Sequence, residues 1–115
     1  MQITCSDDPQ LANVMLAVPV GRLNAEGAHR FWEVVGPCMS EQSPSLIVDM
    51  TGVDWMSSAG VGILMRTLSR LRPLGGKLAI FGCSPSVEKV LEICRIAEML
   101  NVSASPDEAR RRLAG

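Results

Sequence analysis

The chain has 115 residues and a formal net charge of -1, with 47% hydrophobic residues but only two Trp and two Phe. Hydrophobic cores divide into separate domains only at roughly 250 to 300 residues, so residues 1–115 are expected to form one domain, and the hydrophobic fraction argues against disorder. A near-neutral charge, without a basic stripe interleaved with aromatic residues, argues against nucleic-acid binding.

The first ten residues, MQITCSDDPQ, have neither the basic start nor the apolar stretch of a secretory signal. No segment approaches the roughly 20 apolar residues of a membrane span, so we expect a cytoplasmic protein without membrane insertion. Two β-prone runs, 2–5 and 13–18, flank the segment SDDPQLA, whose Asp and Pro residues favour a turn. This pattern predicts an N-terminal hairpin.

A first helix is predicted from Asn24 to Val35. Asn24 is a favoured N-cap residue, apolar residues then recur at three- and four-residue spacing, and Gly36 and Pro37 end the pattern.

Two continuous apolar runs, 45–50 and 77–83, have the length and composition of strands that are buried on both faces. The segment between them carries apolar residues at helical spacing from Ser58 to Arg72 and ends at Pro73, Gly75 and Gly76. A strand, helix and strand in this order predict a parallel pair, with Leu46 to Val48 and Leu78 to Ile80 at the centre of the sheet.

The C-terminal third begins a helix at Ser84-Pro85, since Ser favours the N-cap and Pro the first helical position. A weak strand at 101–104 and a short helix at 105–113 follow. The predicted fold class is α/β, a mixed β-sheet in the order β-β-α-β-α-β-α-β-α with helices mainly on one face. The buried side of the third helix is predicted to carry Val87, Val90, Leu91 and Cys94.

The four cysteines form no CxxC pair and accompany a single histidine, which argues against a zinc site and a disulfide framework. We expect reduced thiols, with Cys83 and Cys94 filling the core. His29 lies in the middle of the first predicted helix, where it is expected to be a surface residue.

The segment VDWMSSAGVGIL, residues 53–64, places Ser57 and Ser58 where a helix begins. Unpaired N–H groups and about half a positive charge make such a position favourable for a phosphate on Ser58. A simpler alternative, compatible with the first, is that Ser58 is only the N-cap. Close helix packing is the expected role of Gly60 and Gly62, since the segment lacks the GK[ST] ending of a P-loop.

No catalytic residue, metal or cofactor is predicted. A serine nucleophile needs a base within hydrogen-bond reach, and the only histidine, His29, belongs to no matching motif. Asp49 and Asp54 lie on either side of the turn before the two serines, but two carboxylates without further ligands do not indicate a metal site.

Four segments in order resemble the STAS family of anti-sigma factor antagonists. They are VGRLNAEGAHRF at 20–31, LIVDMTGVDWMSSAGVGIL at 46–64, GGKLAIFGCSPSVEKVLEI at 75–93 and SPDEARRRL at 105–113. The resemblance covers nearly the whole chain and implies a single STAS domain.

The resemblance also implies a switch. The family's phosphorylated serine falls on Ser58, with Ser57 as the runner-up, whereas Ser57, Asn24 and Ala59 stand where the family has an acidic residue, an aspartate and a small hydroxyl residue. The implied partner-binding residues are Asn24, Ser57, Ser58, Ala59, Gly60 and Val61.

The implied partners are an anti-sigma factor or serine kinase of the histidine-kinase-like ATPase class and a serine phosphatase; a weak homodimer is left open. The alternative function is that of a constitutive, non-phosphorylated subunit acting as a scaffold or as a component of a transporter complex.

Overall fold

The structure is a computed structural model that describes residues 1–114. Its single mixed sheet has the strand order β1-β2-β3-β5-β6, with β4 also paired to β2. The β1 and β2 strands form the predicted antiparallel hairpin, and every other described pair is parallel. The strands are β1 Gln2–Asp7, β2 Val14–Leu23, β3 Ser45–Asp49, β4 Gly52–Met56, β5 Leu78–Phe81 and β6 Val102–Ser103.

The fold class is confirmed, with one strand more than the sequence predicted. The ten-residue β2 pairs with β3 through its first half and with β4 through its second half. Between β3 and β4, the Asp49 carboxylate accepts hydrogen bonds from the Thr51 amide and hydroxyl at 3.0 and 2.6 Å. This turn divides what would otherwise be one extended segment along β2.

Three helices cover one face of the sheet and a fourth covers the other. Side chains of α1 to α3 pack with Leu46, Val48, Leu78 and Ile80 in the main core, whereas Ala109 of α4 packs with Ile47, Ala79 and Phe81. Successive side chains of β3 and β5 therefore point alternately into the two cores, one on each face of the sheet. The central positions predicted for these strands are confirmed. The helices are α1 Ala25–Val35, α2 Ser58–Leu71, α3 Pro85–Ile93 and α4 Pro106–Ala114.

An ion pair joins α4 to the hairpin at the start of the chain. The Asp8 side chain is fully buried and accepts hydrogen bonds from Arg110 and from the amides of Gln10 and Leu11. Burial raises the pKa of Asp8, but the hydrogen bond from Arg110, the two amides and the guanidinium charge together hold that pKa below its ordinary value.

The cysteine prediction is half wrong. Cys83 is half-buried and packs against the main core, and its burial raises the pKa of the thiol to about 11. Cys94, by contrast, is exposed at the C-cap of α3, one residue after the helix ends at Ile93. Within residues 1–114, no helix combines the length and apolar character that crossing a bilayer requires.

Candidate functional site

The helices α1 and α2 begin side by side at one edge of the sheet. Leu23 and Met56 are paired at the ends of the parallel strands β2 and β4, so the next residues, Asn24 and Ser57, occupy equivalent positions. The Ser57 amide donates to the Leu23 carbonyl at 3.1 Å and holds the two chain segments together. The structure thus brings together Asn24 and the start of α2, two regions separated by about 30 residues in sequence.

Both residues are N-caps. The Asn24 side chain accepts a hydrogen bond from the Gly27 amide at 2.9 Å, and the Ser57 hydroxyl accepts one from the Ala59 amide at 3.2 Å. The interpretation of Ser58 as the N-cap is therefore wrong, because its neighbour Ser57 has the extended backbone that a cap requires. Ser57 is half-buried and its hydroxyl also lies 3.5 Å from the Leu23 carbonyl oxygen.

Ser58 is the first residue of α2 and is exposed. Within residues 1–114 its hydroxyl has no hydrogen-bond partner, and the amides of Ser58 and Gly60 have no acceptor. A helix end with free amides carries a partial positive charge. A negative group on the Ser58 oxygen would lie beside that charge and face solvent.

The two glycines of α2 have different roles. A methyl group on Gly60 would lie 2.6 Å from the Leu23 carbonyl oxygen and 2.5 Å from Cγ of Met56, so glycine is needed where α2 crosses the end of β2. The expected close packing is confirmed there. It is wrong for Gly62, which is exposed and where the same methyl group would meet nothing within 4 Å.

The remaining predicted partner-binding residues differ in accessibility. Ala59 and Val61 are half-buried and Gly60 is buried, so Ser58 is the most accessible of the predicted partner-binding residues. Trp55 was missed by the sequence interpretation. It is 50% exposed at the end of β4 and borders, with Arg22 and Asp54, a depression of about 310 Å³.

Within residues 1–114, neither His29 nor Asp49 forms a hydrogen bond with Ser58. His29 is exposed on α1, and its Nε2 lies 3.3 Å from Oε1 of Glu33, so it pairs along its own helix. Asp49 is engaged in the turn after β3. No group of three or more potential metal ligands occurs in residues 1–114.

Comparison with known proteins identifies a family and a set of similar folds. The model of the family described as STAS domain matches residues 7–109. The anti-sigma-B factor antagonist of Staphylococcus aureus (strain NCTC 8325 / PS 47) is 25% identical over 83 residues, which are 72% of this chain and 77% of that protein.

Two solved structures show the same fold. An anti-sigma factor antagonist from Mycobacterium paratuberculosis superposes with a TM-score of 0.83 at 18% identity, over 99% of this chain and 96% of that one. The phosphorylated form of the Bacillus cell fate determinant SpoIIAA superposes with a TM-score of 0.71 at 15% identity, over 96% of this chain and 98% of that one.

Proposed function

This chain belongs to the STAS domain family, and we propose that it is an anti-sigma factor antagonist that binds an anti-sigma factor through the surface around Asn24 and the start of α2. The name of the Staphylococcus aureus relative supports the partner class. The partner would be an anti-sigma factor with serine kinase activity and an ATP-binding domain of the histidine-kinase-like class. Phosphorylation of Ser58 would end binding, and a serine phosphatase would restore it.

The state of the Ser58 hydroxyl supports this switch most directly. Ser57 caps α2, whereas Ser58 is exposed and makes no hydrogen bond within residues 1–114. A kinase could therefore modify Ser58 without removing an interaction that the fold uses. A phosphate adds about -1.5 to -2 charges and is favoured at a helix N-terminus, so the fold should tolerate it.

The same phosphate would oppose docking. If the surface around Ser58 is covered by the partner, the phosphate must lose its hydration there, and each 1.4 kcal/mol of penalty lowers affinity about tenfold. The fold and the affinity should therefore respond differently to one modification.

The test uses the purified chain and each ATP-binding anti-sigma factor of the source genome. We expect one of them to bind in calorimetry and, with ATP, to add one phosphate to Ser58, as read by intact mass and peptide mapping. Ser58→Ala should bind but stay unmodified, and Ser58→Asp should bind about tenfold or more weakly. Ser86→Ala is a control at another exposed serine in the first turn of a helix, although the Ser86 hydroxyl lies 3.1 Å from that of Ser84.

Two results would overturn the proposal. If no anti-sigma factor binds, the antagonist function is wrong. If one binds but modifies Ser57 or nothing, the Ser58 switch is wrong and a constitutive role remains.

A further inference from the structure

A groove between α1 and α2 carries two arginines without carboxylate partners. It has a volume of about 470 Å³ and is lined by Trp32, Arg66, Ser69, Arg70, Pro73 and Leu74. Neither Arg66 nor Arg70 forms an ion pair with any of residues 1–114. Glu33 borders an adjoining depression beside Arg70, but its carboxylate lies 3.3 Å from Nε2 of His29 and forms no ion pair with either arginine.

Arg66 is held in place by an aromatic ring. Its guanidinium carbon lies 4.0 Å from the centroid of the Trp32 ring. A guanidinium that stacks on a ring keeps the N–H groups at its edge free to bind a carboxylate, and its fixed position lowers the entropy lost on binding. The same ring and Leu74 provide an apolar wall beside the charge.

The groove continues along α2 toward the N-terminal end of that helix. A second depression of about 280 Å³ shares Trp32 and Arg66 with the first and extends to Ala59 and Gly62. Ala59 and Arg70 are 11 residues apart in α2, which is about 16 Å at 1.5 Å per residue. A trough of that length, open along one side, suits a peptide segment better than a compact small molecule, which is normally enclosed.

We propose that the groove between α1 and α2 binds an acidic segment of the anti-sigma factor, with carboxylates on Arg66 and Arg70 and an apolar side chain against Trp32. The proposal rests on the proposed function and adds a second contact area to the surface at Ser58. Charge complementarity assigns the occupant, because both unpaired side chains are cations and Trp32 and Leu74 provide an apolar wall beside them.

The test compares two double variants with the same change in charge. Arg66→Gln/Arg70→Gln removes the groove cations, whereas Arg72→Gln/Arg111→Gln removes two exposed arginines that do not line the groove. In calorimetry with the anti-sigma factor that binds the unmodified chain, we expect the groove variant to bind about tenfold or more weakly at low salt and to lose much of its salt dependence. The control variant should stay within about twofold of the original affinity.

A single substitution provides an independent test. Ser69 is exposed in the groove and lies three turns from Ser58, so Ser69→Glu should repel an acidic segment while Ser69→Gln should not. Circular dichroism should show the same fold for all variants. If the groove variant and Ser69→Glu bind with the affinity of the original chain, the groove does not bind an acidic segment. The proposed function would then remain intact. If no anti-sigma factor binds the original chain, both proposals fail.

Discussion

The start of α2 and the attachment of α4 use polar side chains in different ways. At α4, Ser105 accepts a hydrogen bond from the Glu108 amide, Glu108 accepts one from the Ala104 amide, and Arg110 binds the buried Asp8. Each of these side chains has a partner within the fold. At α2, Ser57 caps the helix, but the adjacent Ser58 hydroxyl has no partner within residues 1–114.

This difference separates polar residues that stabilise the fold from polar residues that are available to other molecules. Removing a polar group that satisfies buried partners leaves those partners without hydrogen bonds, which costs free energy. Removing a solvated hydroxyl leaves nothing unsatisfied. Substitutions in the two regions should therefore change the free energy of unfolding by different amounts. Measuring these changes tests the comparison.

The largest effect is expected at the α4 attachment. Asp8→Ala leaves Arg110, whose side chain is only 15% exposed, without its carboxylate, and removes the acceptor for two amides of the β1–β2 turn. We expect the free energy of unfolding to fall by about 3 kcal/mol, as measured by urea denaturation. A loss below about 1 kcal/mol would show that the pair contributes little.

The pH dependence of stability provides a second measurement on the same pair. Because the pKa of Asp8 is lower in the folded protein than its ordinary value of 3.8, its contribution is complete above that value and is lost as the pH falls below it. Asp8→Asn should flatten the decline of stability below about pH 4.

A smaller effect is expected from the glycines of α2. Gly60→Ala places a methyl group against the Leu23 backbone and should cost about 2 kcal/mol, in the usual range for overpacking. Gly62→Ala fills open space and replaces glycine in a helix interior, so it should stabilise the protein by about 0.5 to 1 kcal/mol. Thermal denaturation measures both, and equal shifts would contradict the assigned packing.

The sequence predicted most of the fold because strong local patterns mark its elements. The apolar runs at 45–50 and 77–83 are continuous rather than alternating, as expected for strands buried on both faces. The cap and stop residues of α1 and the stop residues after α2 are also clear in the sequence. The β4 strand was missed because its residues, GVDWM, are short, mixed in polarity and stabilised by pairing with the distant second half of β2. Such pairing leaves no periodic signal in the strand itself.

The candidate site could be predicted only in part. The neighbouring serines and the helix start were visible in the sequence, but which serine caps the helix depends on backbone angles that Leu23 helps to set through its hydrogen bond to Ser57. The groove beside Arg66 was not predicted, because the contact between Arg66 and Trp32 joins two helices that are distant in sequence. Contacts between distant elements account for both differences.

The smallest predicted effect is also the closest comparison, because the two residues are adjacent. Ser57→Ala removes the hydroxyl that accepts the Ala59 amide and should lower the free energy of unfolding by about 1 kcal/mol. Ser58→Ala removes a solvated hydroxyl and should change it by less than about 0.5 kcal/mol, because exposed substitutions outside caps and cores are nearly neutral. Urea denaturation of both variants separates these values. Ser57→Gly is the control, because glycine is tolerated at an N-cap and this change should lower the free energy of unfolding by only a few tenths of a kcal/mol. A larger loss at Ser58 than at Ser57 would reverse the assignment of the cap, and Ser58 would then no longer be the residue that can be modified without cost to the fold.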